Sequence, residues 1–445
     1  MPLPYLHLVR TTRPSAPALI DIVAATRATL DKANLDLPAG APVAVAVGSR
    51  GIANYAKIAG AVVAWLKERG MAPFIIPAMG SHGGATAEAQ QAVLAKYGID
   101  EAHMGVPVRS SMETVLTGVT ESGIEVFMDK HAYEAGRVLL VNRVKPHTTF
   151  TAKVESGIMK MAAIGLGNLE GARRFHSSAL RMGFEKALLE MARVNLQSGK
   201  LLGGVAILEN DAHQTAGIEA MTAAMAAPNL EIEEPRLLTR AREIRPQLPF
   251  RNLDLLIVDE IGKDISGTGM DTRVTGRSIH QELDGADSTG TTPGFIRIRR
   301  IYVRDLTHAT EGNACGVGQA DMVHERLFRK TNFTLTNVNA TTSLGFLTAR
   351  MPMWFPSDRA AIFFAMRNMG LPSPEEVKIV RIRNTNQVDS FLASPACVRN
   401  LWDDLRDKDR SDRYHVGDGI PLDFDEVGNL MSVVAPAATP APAYV

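Results

Sequence analysis

The stretch KPHTTFTAKVESGIMK, from Lys145 to Lys160, holds an unusual set of side chains for chemistry. His147 follows a proline, which fixes the chain direction, and its imidazole can exchange a proton near neutral pH. Lys160 lies between two methionines in the apolar run SGIMKMAAIGLG. Burying a lysine there is unfavourable unless it is paired, modified or part of a site. The alternative is a side chain whose stem packs on the core while its ammonium group reaches water.

Further candidates lie in glycine-containing loops on either side of this stretch. Arg50 lies in GSRG, His82 lies in GSHGG, and His176 follows Lys160 by 16 residues in EGARRFHS. The backbone N–H groups of such loops can approach a phosphate or carboxylate. Turns that merely need the conformational freedom of glycine are the alternative. In the GSHGG loop the candidate cofactor-binding residues are Gly80, Ser81 and Gly83.

The elements that must position these residues alternate between strand and helix. Strands are predicted at Val43–Val47, Phe74–Pro77 and Arg137–Val141, and helices at Ala56–Arg69 and Thr86–Tyr97. Such alternation predicts a mostly parallel sheet, and ligands of parallel sheets bind beyond the carboxyl ends of the strands. Because Arg50, His82 and His147 each follow a predicted strand, we expect them to converge at that edge.

The chain of 445 residues is long enough for two domains. Between Ala227 and Asn252 the sequence changes to a segment with four prolines and many charges, which we interpret as the boundary. Alternation of strands and helices then resumes with LDLLIVDEIGKD, and SDRAAIFFAMRNMG predicts a helix capped by Ser357 or Asp358. We predict two α/β domains with mostly parallel sheets and a cleft between them, at 1–235 and 250–432, with a disordered Pro/Ala tail at 433–445.

Composition excludes several classes of protein. Lys plus Arg equals Asp plus Glu at 48 each, so no broad field favours nucleic acid or an anionic membrane. No segment reaches the roughly 18 apolar residues of a spanning helix, and the first residues do not resemble a signal peptide, so we expect a cytoplasmic protein. The sequence has two distant cysteines and no HExxH, GxSxG or paired CxxC motif, which argues against zinc sites and α/β-hydrolases.

The order of these motifs resembles the nickel-pincer-nucleotide-dependent lactate racemase family. The resemblance covers the first half well and the second half only by its α/β pattern. It implies that Lys160 carries the cofactor covalently and that His176 is the nickel ligand. It further implies that His82 and His147 exchange the substrate hydroxyl proton and that Arg50 lies near an anionic group. The implied partners are a small hydroxy-acid substrate and the proteins that synthesise the cofactor.

Two features depart from the family pattern. The segment TTFTAKVESGI is longer and less glycine-rich than usual, so Lys153 is a rival attachment site, although it breaks the spacing to His176. In the second domain GKDISGTGMDTR replaces the substrate-contacting motif, and Lys263 is the candidate replacement cation. We therefore expect a 2-hydroxy acid other than lactate, such as an aldonate.

Two other functions stay open at this stage. One is a cofactor-free lyase or dehydratase acting on a sugar acid, in which Lys160 forms a Schiff base or acts as a general base. The other is a non-catalytic carboxylate-binding protein. The leading interpretation is a racemase or epimerase of a 2-hydroxy acid, in which the cofactor accepts and returns a hydride while two histidines transfer the proton.

Overall fold

The computed structural model describes residues 5–33, 35, 37–48, 51–148, 150–223, 230–279, 291, 295–342, 345–370, 373–399, 401 and 413–431. The chain forms two compact units. The N-terminal unit comprises Ser15–His147 and Thr151–Arg245, and the C-terminal unit comprises Met1–Pro14, Thr148–Phe150 and Pro246–Pro440. No helix in these ranges is long and apolar enough to cross a membrane.

The strands follow the α/β pattern that the sequence predicts. Their bounds are β1 Leu6–Thr11, β2 Pro42–Val47, β3 Ala72–Pro77, β4 Thr114–Val119, β5 Glu125–Asp129, β6 Val138–Arg143, β7 Leu201–Glu209, β8 Thr215–Thr222, β9 Asn252–Ile261, β10 Arg297–Leu306, β11 Met322–His324, β12 Met353–Phe355, β13 Ile379–Ile382, β14 Ser390–Ala393 and β15 Tyr414–Ile420.

The helices lie between these strands. The first ten are α1 Ile22–Lys32, α2 Tyr55–Glu68, α3 Ala87–Ala95, α4 Glu101–Met104, α5 Lys130–Ala135, α6 Ile158–Lys160, α7 Asn168–Met182, α8 Phe184–Gln197, α9 Leu230–Ile244 and α10 Thr272–Thr275.

The helices of the C-terminal unit continue the numbering after α10. Their bounds are α11 Glu325–Lys330, α12 Phe333–Thr342, α13 Asp358–Arg367 and α14 Pro395–Arg399.

The central sheet of the N-terminal unit has the order β3-β2-β6-β7-β8 among its described strands. Strands β3, β2, β6 and β7 are parallel neighbours, and β8 pairs antiparallel with β7. Strand β2 is apolar along its length, and Val43–Val47 are fully buried because helices cover both faces of such a sheet. The carboxyl ends of β2, β3 and β6 therefore lie side by side at one edge.

The larger sheet of the C-terminal unit has the order β12-β11-β10-β9-β13-β14-β1-β15 among its described strands. The strands from β12 to β13 are parallel, and β14, β1 and β15 add antiparallel pairs. The sequence prediction counted residues 6–11 in an N-terminal domain at 1–235. The pairing of β1 with β14 and β15 places them in the C-terminal unit instead, because hydrogen bonds to distant strands outweigh position along the chain.

An ionic network is buried in the C-terminal unit. Arg304 bonds to Asp259 at 2.8 Å and to Asp358 at 2.7 Å, and the Tyr302 hydroxyl donates to Asp358 at 2.7 Å. Arg381 bonds to Asp259 at 2.8 Å. Burial alone would raise the pKa of Asp358, but the hydrogen bonds and charge of Arg304 hold it below its ordinary value.

The α/β class and several elements are confirmed. The helix predicted at 56–69 spans Tyr55–Glu68, and Ser357 caps α13 by accepting the Ala360 N–H at 3.2 Å. The units divide between Arg245 and Pro246, inside the segment interpreted as a boundary, yet most of that segment is helix α9 and not a linker. The predicted tail at 433–445 lies outside the described residues.

Candidate active site

The first loop at the carboxyl edge of the N-terminal sheet follows β2. Arg50, a predicted site residue, lies outside the described part of the chain. Before it, the Gly48 N–H is bonded to the Tyr55 hydroxyl, which donates to the Val141 carbonyl at 2.7 Å. After it, Arg143 donates to the Gly51 carbonyl at 2.6 Å. The ends of the loop are thus tied to β6, the strand that leads to His147.

The second loop follows β3 and contains GSHGG. Gly80 is buried with a φ of +60°, Ser81 and His82 are exposed, and Gly83 begins a short 3₁₀ turn that runs to Ala85. The buried amide of Gln90 in α3 donates to the carbonyls of Gly80 and His82 at 3.0 and 3.1 Å. The main chain of the loop is therefore held by α3, and the imidazole of His82 lies at the surface.

The third loop follows β6 and carries His147, which is half-buried. The side chain of Glu155 is 0% exposed, and its carboxylate holds the main chain of this loop. One carboxylate oxygen accepts the His147 N–H at 2.7 Å, and the other accepts the Ala152 N–H at 2.9 Å. Arg242 of α9 donates to the same carboxylate at 2.6 Å. A buried carboxylate needs such donors, so this pair fixes the main chain at His147.

Lys160 ends α6, and a π-helical turn, Met161–Gly165, follows directly. The flanking Met159 and Met161 are buried, whereas Lys160 is partly exposed. Burial and then the positive charge of Lys145 lower the pKa of Lys160 to about 8, against the opposing attraction of Glu155. With this pKa the amine is neutral in about a tenth of molecules at pH 7 and in about half at pH 8.

His176 lies on α7, with an exposed side chain. Neighbouring atoms still displace part of the water around the imidazole, and this desolvation, followed by the positive charge of Lys160, lowers the pKa of His176, so the neutral imidazole is favoured. The structure thus brings Lys160 and His176 within electrostatic range. The chain turns between them at Gly167 and Asn168, the latter with a left-handed φ of +48°.

The GSHGG loop packs on the turn between Lys160 and His176. The Gly80 N–H donates to the Gly165 carbonyl at 3.4 Å, and a Cβ on Gly80 would lie 3.4 Å from Ile164 Cγ2. The segments that carry His82, His147, Lys160 and His176 are therefore packed together in one unit. Lys263 belongs to the C-terminal unit, where its ammonium group donates to Asn339 at 2.9 Å.

Sequence reasoning missed two residues of α9. Arg242 pairs with Glu155, and Glu234 accepts the N–H groups of Ile158 and Met159 at 3.0 and 2.9 Å. The charge-rich composition of this segment favoured a boundary. A helical pattern was nevertheless present, because Glu234 shares spacing with the apolar residues Leu230, Leu237, Leu238 and Ala241.

Comparison with known proteins finds a family model that matches part of the N-terminal unit. Residues 43–185 match the family model described as the lactate racemase N-terminal domain. No curated protein matches the chain. Among solved structures, the lactate racemase apoprotein from Thermoanaerobacterium thermosaccharolyticum matches with 12% identity and a TM-score of 0.46, over 76% of this chain and 92% of that chain.

The match of residues 43–185 to the lactate racemase N-terminal domain confirms the resemblance noted in the sequence. The matched range includes Arg50, His82, His147, Lys160 and His176. Within the described ranges, no group of three or more His, Cys, Asp or Glu side chains is arranged to hold a metal ion.

Proposed function

We propose that this chain is a racemase or epimerase of a 2-hydroxy acid that uses a nickel-pincer nucleotide attached to Lys160. The observation that carries the proposal is the coupled pair inside the matched domain. Lys160 has a pKa lowered to about 8, and its charge acts on His176, whose pKa is also lowered. The family resemblance implies one lysine and one histidine as the protein groups that hold this cofactor, and Lys160 and His176 are the candidates for these roles.

The donor set fits the cofactor. Attachment through the lysine nitrogen needs the neutral amine, and burial of Lys160 favours that form. Nickel binds a neutral imidazole through its lone pair, and the environment of His176 favours that state. The rival Lys153 is exposed, whereas Lys160 lies between the buried Met159 and Met161.

The remaining chemistry is assigned to residues of the chain. When bound, the cofactor supplies reversible acceptance of a hydride from the substrate carbon. His82 and His147 would then remove and return the proton at the substrate hydroxyl oxygen, each serving one enantiomer. The positive charge of Lys145, which acts on Lys160, favours an anionic group such as a carboxylate in the site.

The test is the chemical state of Lys160 in protein isolated from its native host. Intact mass, metal analysis and peptide mapping of residues 145–180 should show a nucleotide-sized adduct on Lys160 and about one nickel per chain. Lys160→Ala should lose the adduct, and Lys153→Ala should keep it. An unmodified Lys160 from a host shown to make the cofactor would contradict the proposal. Loading in a recombinant host would require the proteins that synthesise the cofactor.

The lowered pKa of Lys160 also favours a second candidate, a cofactor-free lyase or dehydratase acting on a sugar acid. A neutral amine can form a Schiff base with a carbonyl compound. Borohydride reduction in the presence of substrate, without nickel, would trap a substrate-sized adduct on Lys160 in this case. The racemase proposal predicts no such adduct.

A further inference from the structure

Helix α9 contacts the start of the helix that carries Lys160. The Glu234 side chain is fully buried, and its Oε2 accepts the N–H groups of Ile158 and Met159 at 3.0 and 2.9 Å. The fit is close, since a Cβ on Gly157 would lie only 2.8 Å from Glu234 Oε1. These N–H groups begin the helix and have no carbonyl partner within it, so the carboxyl group of Glu234 replaces one.

The same helix also acts on the loop that carries His147. Arg242 Nη2 donates to Glu155 Oε1 at 2.6 Å and to the Ala152 carbonyl at 2.8 Å. Glu155 in turn accepts the His147 N–H at 2.7 Å. Arg242 follows Glu234 by about two helical turns, so one element holds both ends of the segment from His147 to Met159.

The position of Glu234 is unfavourable in isolation. Its Oε1 has no hydrogen-bond partner among the described residues. Burial raises the pKa of Glu234 to about 8, although the two N–H groups act in the opposite direction. An apolar residue here would avoid this cost. An apolar residue, however, could not accept the N–H groups of Ile158 and Met159, which lie just before Lys160.

We infer that Glu234 and Arg242 are positioning residues, which fix the main chain at Ile158–Met159 and, through Glu155, at His147. They thereby hold the cofactor-bearing lysine and a proton-transfer histidine in one arrangement. Both residues lie outside the matched range 43–185. The inference rests on the proposed function for the roles of Lys160 and His147.

The test uses the full chain without cofactor and compares Glu234→Ala, Glu234→Gln and the control Glu233→Ala. Glu233 is the neighbouring carboxylate, and it bonds to Arg236 on the same helix. One readout is hydrogen exchange of peptides that cover 147–160. The other is the rate at which acetic anhydride acylates Lys160 at about pH 8, measured by peptide mass mapping.

We expect Glu234→Ala to speed exchange at Ile158 and Met159 by at least about tenfold. It should also slow acylation of Lys160 by at least about fivefold, because water reaching the ammonium group favours its charged form. Glu234→Gln keeps an acceptor oxygen and should restore both rates to within about twofold, and Glu233→Ala should change neither. Arg242→Met should speed exchange at His147, and Arg242→Lys should restore it.

The inference is overturned if folded Glu234→Ala acylates Lys160 at the normal rate, or if Glu234→Gln behaves like Glu234→Ala. If Glu234→Ala does not fold, the test rests on Glu234→Gln, Arg242→Met and Arg242→Lys. Normal exchange at His147 in Arg242→Met would then overturn the inference. Failure of the proposed function is a separate result. A chain that racemises no 2-hydroxy acid after loading would contradict that function, while the exchange and acylation rates would still show whether α9 positions the segment.

Discussion

The buried carboxyl group of Glu234 predicts a specific dependence of stability on pH. Its pKa is raised from 4.5 to about 8, chiefly by burial. The folded state therefore binds this proton more tightly than the unfolded state. The stabilising contribution is fully present below about pH 4.5 and is lost as the pH rises towards 8.

The size of the effect follows from the two pKa values. Each pH unit between them lowers the free energy of unfolding by about 1.4 kcal/mol, so the whole change is roughly 5 kcal/mol. Glu234→Gln removes the titrating group and keeps an acceptor for the two N–H groups. The wild-type protein should therefore lose about 3 kcal/mol relative to this variant between about pH 5.5 and 8.

Denaturant unfolding of both proteins at several pH values measures the difference. Other titrating groups occur in both proteins and cancel to first order, and Glu233→Gln controls for loss of a carboxyl group from the same helix. A difference that stays constant with pH would refute the reasoning. Such a constant difference would show that the two N–H groups of Ile158 and Met159 outweigh burial and keep the carboxylate charged throughout this range.

Three further predictions concern separate parts of the chain. Lys160 should be acylated at about pH 8 at least about tenfold faster than an average exposed lysine, and equal rates would refute its lowered pKa. Asp358→Ala should cost about 3–5 kcal/mol in denaturant unfolding because it removes one of the two carboxylates that pair with the buried Arg304 and the acceptor of the Tyr302 hydroxyl. That difference should shrink as the pH falls below about 4, where Asp358 of the unfolded chain gains a proton before that of the folded protein does. A loss under about 1 kcal/mol at neutral pH would contradict the network. Gly165→Ala should cost about 1–3 kcal/mol, since its Cβ would approach a carbonyl oxygen to 2.6 Å, whereas Gly60→Ala should be neutral or stabilising.

The strand and loop pattern of the N-terminal unit could be predicted because its signals are local. Apolar β-branched runs bounded by glycine loops predicted β2 and β3, and the residues after them lie where parallel-sheet topology places ligands. Lys160 stood out for the same reason, as a charge in an apolar run. These inferences need only neighbours along the chain.

The supporting contacts could not be predicted because they join distant positions. Glu155 reads as one polar residue among several, and its importance depends on Arg242, 87 residues further along the chain. Glu234 looks like part of an acidic segment until its helix is folded against Ile158. Strand β1 is a short apolar run near the start, and only its pairing with strands near the end of the chain reveals its unit.

The π-helical turn makes the length of the segment after Lys160 important in itself. In one unbroken α-helix, 16 residues would place His176 on the opposite side and about 24 Å along the axis. The turn instead closes through the Leu166 N–H and the Met161 carbonyl, five residues back, at 2.9 Å. Deleting one residue within it would restore ordinary helix and rotate the following chain by about 100°. This stretch should therefore accept changes of side chain more readily than a change in the number of its residues.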